Sequence, residues 1–381
     1  MQPSGKLIAL MAAAGVLGLV ALGAATVCLT SGCSTIGYYG QAVGGHLEIV
    51  TKARSVPGWI AAEGTEPRLR ERLQLAQRMR DFAVQELKLP DNASYRRYAD
   101  LGRSAVVWNV VAAPELSLTL KTWCFPVVGC VGYRGYFDRA GADALAAELR
   151  AQGLDVNVYG VPAYSTLGRT NWMGGDPLLN TFIFWGEGEL AKLIFHELAH
   201  QVAYADDDTT FNESFAVAVE RLGGQRWLDQ YGTPEARQAD VEAAERRADF
   251  RALTQRTRAS LATLYASAIT EAEKRERKAG LLAAMRAEYE QTKATRWGGF
   301  AGYDGWFARA NNASLGVQAA YNELVPQFER LFERQGRDFE RFYAEVKRLA
   351  ALPKAERRAA LEAAPAAANA SAATKPTTAT R

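Results

Sequence analysis

The chain has 381 residues, enough to bury a sizeable core, and its 48% hydrophobic and 23% charged content is that of an ordinary globular protein. A formal charge of +3, from 45 basic against 42 acidic side chains, offers no large field for nucleic acid, which is not expected as a partner. Basic clusters at residues 68–80 and 274–278 are interleaved with acids at helical spacing, the pattern of a solvated helix face.

In chain order the first segment is an export signal. Lys6 precedes a charge-free apolar run over residues 7–29, followed by Thr30, Ser31, Gly32 and Cys33. Small residues directly before a cysteine resemble the lipobox of bacterial lipoproteins, which implies removal of residues 1–32, acylation of Cys33 and attachment to the cell envelope membrane. The outer membrane, facing the periplasm, is the expected location. The run is also long enough to span a bilayer, so an uncleaved anchor is the alternative. With Cys28 in the signal and Cys33 lipidated, Cys124 and Cys130 remain, spaced to close a small loop in an oxidising compartment. A disulfide is predicted there, with two buried free thiols as the alternative.

Residues 33–66 read as a membrane tether and lead-in, rich in Gly and Tyr over 34–45, with a short helical stretch at 47–53. A catalytic domain is expected over residues 67–232. It opens with a helix at 67–87 and passes into strands at 105–111, 116–123, 155–161 and 181–185, with a crossover helix at 143–152. Beyond this the pattern is helical: 187–205, 212–223, a long antiparallel hairpin over 233–295 broken around Ile269 and Thr270, then 313–335 and 338–352. Residues 233–352 complete the domain, and 353–381 form a disordered tail, without periodicity from Ala364 onward. The expected class is α+β, predominantly helical, with a small mixed sheet and a long helical hairpin.

The chemistry concentrates in Phe195-His196-Glu197-Leu198-Ala199-His200, an HExxH on an amphipathic helix. Residues four apart on a helix lie one above the other, so both imidazoles can reach one cation at the zinc to nitrogen distance of about 2 Å. Glu197, one position after the first histidine, is displaced around the helix and can serve as general base toward a water beside the metal. Leu193, Ile194, Leu198, Ala199 and Val202 bury this helix, and the chain has only three histidines. A helix whose histidines merely bond to neighbours is the bland alternative.

A catalytic zinc needs a third protein ligand and an open position. His46 lies far upstream, beside Gly44 and Gly45. Glu213 opens the next helix, where the dipole alone favours an acid, but a short loop would turn that helix back and bring Glu213 beside the histidines. Glu220, seven residues on, is an alternative ligand or a partner to one.

HExxH followed by Asn212-Glu213-Ser214-Phe215-Ala216 resembles the gluzincin metallopeptidases, in which the glutamate of the second helix is the third zinc ligand. With the lipobox, residues 124–137 (CFPVVGCVGYRGYF), 164–168 (YSTLG) and 176–181 (DPLLNT), the chain resembles the putative aminopeptidase family of Gram-negative lipoproteins from about Cys33 to Leu352. The resemblance implies a gluzincin-like fold, a Zn2+ cofactor held by His196, His200 and Glu213, and Glu197 as catalytic carboxylate. Twelve residues separate His200 from Glu213, a shorter loop than in many zinc aminopeptidases with HExxH.

For stabilising the oxyanion, Tyr204, Tyr164, Tyr303 and Tyr321 are all candidates, and nothing in the sequence chooses among them. Glu187 and Glu189 are the acids available to hold a free α-amine, or they simply start the helix. The expected function is zinc-dependent hydrolysis of peptide bonds, at the amino end by resemblance. The alternatives are a metalloendopeptidase and a non-catalytic envelope lipoprotein that docks a partner on its helical hairpin.

Overall fold

The computed structural model describes residues 33–125, 129–163, 165–168, 171–206, 208–318 and 324–363. The segment expected to be an export signal, with Cys28, the oxyanion candidates Tyr164 and Tyr321, and residues 364–381 lie outside the described residues. Among the described residues no helix is long and apolar enough to cross a membrane.

The protein is predominantly helical α+β. The chain begins with α1 (Cys33–Lys52), β1 (Arg54–Ser55), α2 (Val56–Ala61) and α3 (Pro67–Gln85), with Pro67 in the first turn of α3, where its missing N–H costs nothing. Residues 34–45, expected as a tether, are instead the first turns of α1. Packing overrides the weak helix propensity of their glycines. Gly45 is buried and a Cβ there would overlap the Phe137 ring, while Gln41 accepts from Phe137 N at 2.8 Å, so the helix lies against the strands that follow.

Those strands are β2 (Arg97–Ala99), β3 (Val107–Pro114), β4 (Trp123–Phe125), β5 (Gly129–Val131), β6 (Arg134–Tyr136), β7 (Leu154–Val161) and β8 (Leu178–Leu179), with α4 (Arg139–Ala151) between β6 and β7. They divide among three small sheets rather than one. The order β1-β2-β8 is mixed, β6-β3-β7 is wholly antiparallel, and β4-β5 is a hairpin in which Cys124 lies opposite Cys130, with the two sulfurs bonded. In β6-β3-β7 the pairing of Val107 with Val161 through Pro114 with Leu154 leaves β7 as an edge. Two expected strands are absent. Residues 116–122 are irregular before β4, and 181–185 form successive turns, with Ile183 N donating to Leu179 O at 3.0 Å and Trp185 N to Phe182 O at 3.0 Å. Phe182 and Ile183 are fully buried, so the apolar run there signals burial without strand pairing.

The second half contains α5 (Glu187–Ala199), α6 (Thr209–Tyr231), α7 (Pro234–Ala266), α8 (Glu271–Thr295), α9 (Asp304–Arg309), α10 (Asn312–Val317), α11 (Val325–Arg334), α12 (Phe339–Ala350) and α13 (Lys354–Ala363). Compared with expectation, α5 ends six residues earlier, α6 extends eight further, and the segment 313–335 divides into α10 and α11. Gly223, the last residue expected of this helix, lies inside it. A Cβ on Gly223 would sit 2.6 Å from Leu87 Cδ1 and 3.0 Å from Phe195 Cδ2, so glycine here permits close approach of α6 to α5 and to the residues just after α3. The hairpin of α7 and α8 turns where expected; Thr233 caps α7, and Thr270 with Glu273 forms a capping box on α8. It packs on α5 through Arg247 to Glu189 (2.7 Å) and Lys192 to Asp240.

The tail departs from expectation over residues 354–363, which form α13. Leu361 is fully buried, and Arg357, 3% exposed, pairs with Asp208 at 2.8 Å and donates to Leu352 O. Asp208 in turn caps α6 by accepting from Phe211 N, so the last helix is tied to the first turn of the helix bearing Glu213. Removing one partner of a buried pair strands the other, and Arg357→Ala is expected to lower unfolding free energy by about 3 kcal/mol in a urea titration.

Candidate metal centre

The face of α5 carrying Leu190, Ala191, Ile194, Phe195, Leu198 and Ala199 is buried, which leaves the opposite side to carry the polar residues. His196 and His200 follow one another on that side. Their Nε2 atoms lie 3.2 Å apart, with ring planes at 83°. From α6, Glu213 Oε2 reaches to 3.5 Å of His196 Nε2, and its Oε1 to 3.8 Å of His200 Nε2. One donor atom from each of the three groups lies within 4.8 Å of the others, a spacing compatible with a shared ion.

The local sequence explains why Glu213 arrives here. Asn212, 1% exposed, accepts from Ala205 N at 2.8 Å and donates to Ala205 O at 2.7 Å, stapling the loop after α5 onto the first turn of α6. With Asp208 capping the same turn, α6 is delivered back along α5. Glu220, two turns beyond Glu213, accepts from His196 Nδ1 at 2.8 Å. It is thus a partner of a histidine and lies on the far side of the ring from Glu213. A carboxylate on Nδ1 fixes the tautomer and turns the Nε2 lone pair toward the centre.

Charge is distributed accordingly. His200 is driven to about 4 by burial and by neighbouring His196, which keeps it neutral, the form able to ligate a metal. Burial opposes charge on Glu213, yet the bond with His196 and the proximity of His200 hold its pKa below the usual range. His196 goes the other way: burial is outweighed by Glu213 and Glu220, which raise it well above normal, so its Nε2 holds a proton that a bound metal would displace to take the lone pair. Two imidazole nitrogens and a carboxylate with an open side are the donor set of catalytic zinc sites, and these residues fit that ion.

Glu197 is pushed above the usual carboxylate range, chiefly by burial and also by Glu213 and Asp176. The Ser165 hydroxyl bonds to it and also lies 3.4 Å from Asp176 Oδ2. Asp176, 2% exposed, accepts from Thr166 N and from Thr166 Oγ1 (2.8 Å), which clamps the loop carrying Ser165. His46 lies on the Asp176 side and is not among the converging donors.

Sequence reasoning named Tyr204, and its ring sits 6.3 Å from that of His200. Tyr303 instead stacks on Phe250 at 4.6 Å in the core of the hairpin. Two tyrosines were missed. Tyr133 is 43% exposed as a whole residue, but its phenol feels Tyr159, Glu213 and Tyr204, with a pKa raised first by burial. Tyr95, fully buried with a left-handed φ of 62°, places its phenol near Glu197. The only signal for Tyr133 was its place in the 124–137 stretch. Glu187 and Glu189 are committed elsewhere, to Trp227 Nε1 (2.9 Å) and Arg247 (2.7 Å), at the opposite end of α5 from His200.

No curated protein and no solved structure matches the chain. The profile of the family described as "Putative aminopeptidase" matches residues 37–361, which include every residue of the site just described. The chain therefore belongs to the Putative aminopeptidase family.

Proposed function

We propose that this protein is a zinc-dependent peptidase, with His196, His200 and Glu213 holding the ion and Glu197 moving the proton. The observation that carries the reading is the convergence of these three donors beside a buried, raised carboxyl group. When bound, the zinc supplies Lewis-acid chemistry, acidifying a water and polarising the scissile carbonyl. Glu197 accepts the proton of the attacking water and delivers it to the departing amine, and a pKa raised by burial suits it to both transfers. Ser165 orients that carboxylate. Tyr204 and Tyr133 are the phenols able to donate to the carbonyl oxygen as charge develops there. The backbone after edge strand β7 leads to Ser165, so an extended peptide paired along β7 would bring its carbonyl toward Glu197.

The family description supports cleavage at the amino end. The engagement of Glu187 and Glu189 with other partners favours a second reading, an endopeptidase. Zinc analysis of the purified chain followed by a peptide library with free or acetylated amino ends separates them. Cleavage of free-amine peptides alone is expected; cleavage of both kinds indicates the endopeptidase, and zinc without cleavage refutes peptidase function. We also propose that Cys33 is acylated and holds the chain to the envelope membrane, on the strength of the apolar run and the small residues before it. The N-terminal mass of the same preparation tests this, and a retained Met1 would refute it.

A further inference from the structure

We propose that the cavity between α1, the β4-β5 hairpin and the β6-β3-β7 sheet is the specificity pocket of the site, taking a large aromatic or branched aliphatic side chain next to the scissile bond. The inference rests on the peptidase reading and names a substrate class for it. The cavity measures about 600 Å³, within the range of small-molecule sites. Val107 and Val161 form its floor from β3 and β7, Tyr38, Tyr39 and Ala42 come from α1, and Phe125 and Val131 close it from the hairpin.

Its chemistry is selective. Tyr38 stacks on Phe125 with ring centroids 5.4 Å apart, so helix and hairpin form one aromatic wall. None of the lining side chains carries a carboxylate, ammonium or guanidinium, and apart from the tyrosine phenols the polar ones are Asn109 and Ser165. A charged substrate side chain entering here would lose water with no charged group in the lining to pair with, the nearby Arg134 guanidinium being stacked 4.3 Å over the Tyr38 ring, whereas a benzyl or isobutyl group gains burial.

Its position ties it to the reaction. Ser165 belongs to the lining and bonds Glu197, and Tyr133 belongs to the lining with its phenol near Glu213. A side chain in the cavity is thus held within one residue of the bond presented to Glu197. Ala42 on the helix and Gly135 on β6 leave the space open, and a Cβ on Gly135 would already press on Asn109 and Val107 at 3.0 Å.

The test compares binding of phenylalanine hydroxamate and alanine hydroxamate, each with a free or an acetylated amine, to the zinc-loaded full chain by calorimetry. The phenylalanine ligand should bind roughly ten- to a hundredfold more tightly, the factor expected for burying a large apolar side chain. Ala42→Phe, which fills the cavity, should bring that ratio close to one. Phe125→Ala, which enlarges it, should keep the ratio and add affinity for tryptophan hydroxamate, so the inference stays testable if the filled variant misfolds. Equal affinities, failure of both ligands to bind, or a ratio that Ala42→Phe leaves intact would overturn it. Preferential binding of decanoate without discrimination between the hydroxamates would assign the cavity to an acyl chain and overturn it as well. The two failures are distinguishable: peptide cleavage without preference for bulky apolar residues refutes the pocket alone, whereas hydroxamate preference without cleavage of any peptide refutes the peptidase reading and, with it, the pocket's place beside a scissile bond.

Discussion

Glu197→Gln is expected to retain one zinc per chain while kcat falls by about 10³-fold, near the middle of what a positioned general base contributes. The amide has nearly the shape of the carboxyl, so the packing of α5 should persist. It has no means of accepting the proton from the attacking water, which is the step assigned to Glu197. Zinc should remain because Glu197 is not among the three converging donors. Stability should hold or rise slightly, since burial penalises the charged form of this group. The loss should therefore appear in kcat, with zinc content by emission spectrometry and the thermal midpoint close to those of the parent. A variant that turns over substrate within about threefold of the parent would remove Glu197 from the mechanism, because a missing base costs at least about 10²-fold.

How much of this was legible beforehand depended on whether the signal was local. The i, i+4 spacing of His196 and His200 is a helix property, and the structure places both rings on one side of α5. The hairpin of α7 and α8 was legible because its caps and its break at Ile269 and Thr270 lie beside the elements they delimit. The glycines misled. In α1 and α6 they read as a tether and a stop, yet Gly45 and Gly223 lie where another helix or ring approaches too closely for a Cβ, a fact that depends on residues far along the chain. The turns at 181–185 failed for a similar reason: an apolar run reports burial, and pairing depends on a neighbour that the local sequence does not name. Tyr133 and Ser165 could not have been selected from sequence, since the sheet and the Asp176 clamp bring them to the site. Likewise α13 is held by Asp208, far from it in sequence.

The two acids of α6 should separate by zinc affinity. Zinc binding worth about 10–16 kcal/mol over four ligands amounts to roughly 3 kcal/mol each, so Glu213→Ala should weaken zinc by about 10²-fold or more. Added zinc should not restore full turnover, because one donor is gone from the shell. Glu220→Gln is a milder change. Its amide oxygen can still accept from His196 Nδ1, as the carboxylate does at 2.8 Å, so affinity should fall by about tenfold, the lower end for such partners, and excess zinc should recover turnover. Competition with a chelating dye measures both constants in the same buffer. The order of the two effects decides the assignment: Glu213 bridges the space between both Nε2 atoms, while Glu220 meets only the far nitrogen of one ring. If the Glu220 variant loses zinc more completely than the Glu213 variant, the two acids exchange roles, and the ion sits on the other side of His196.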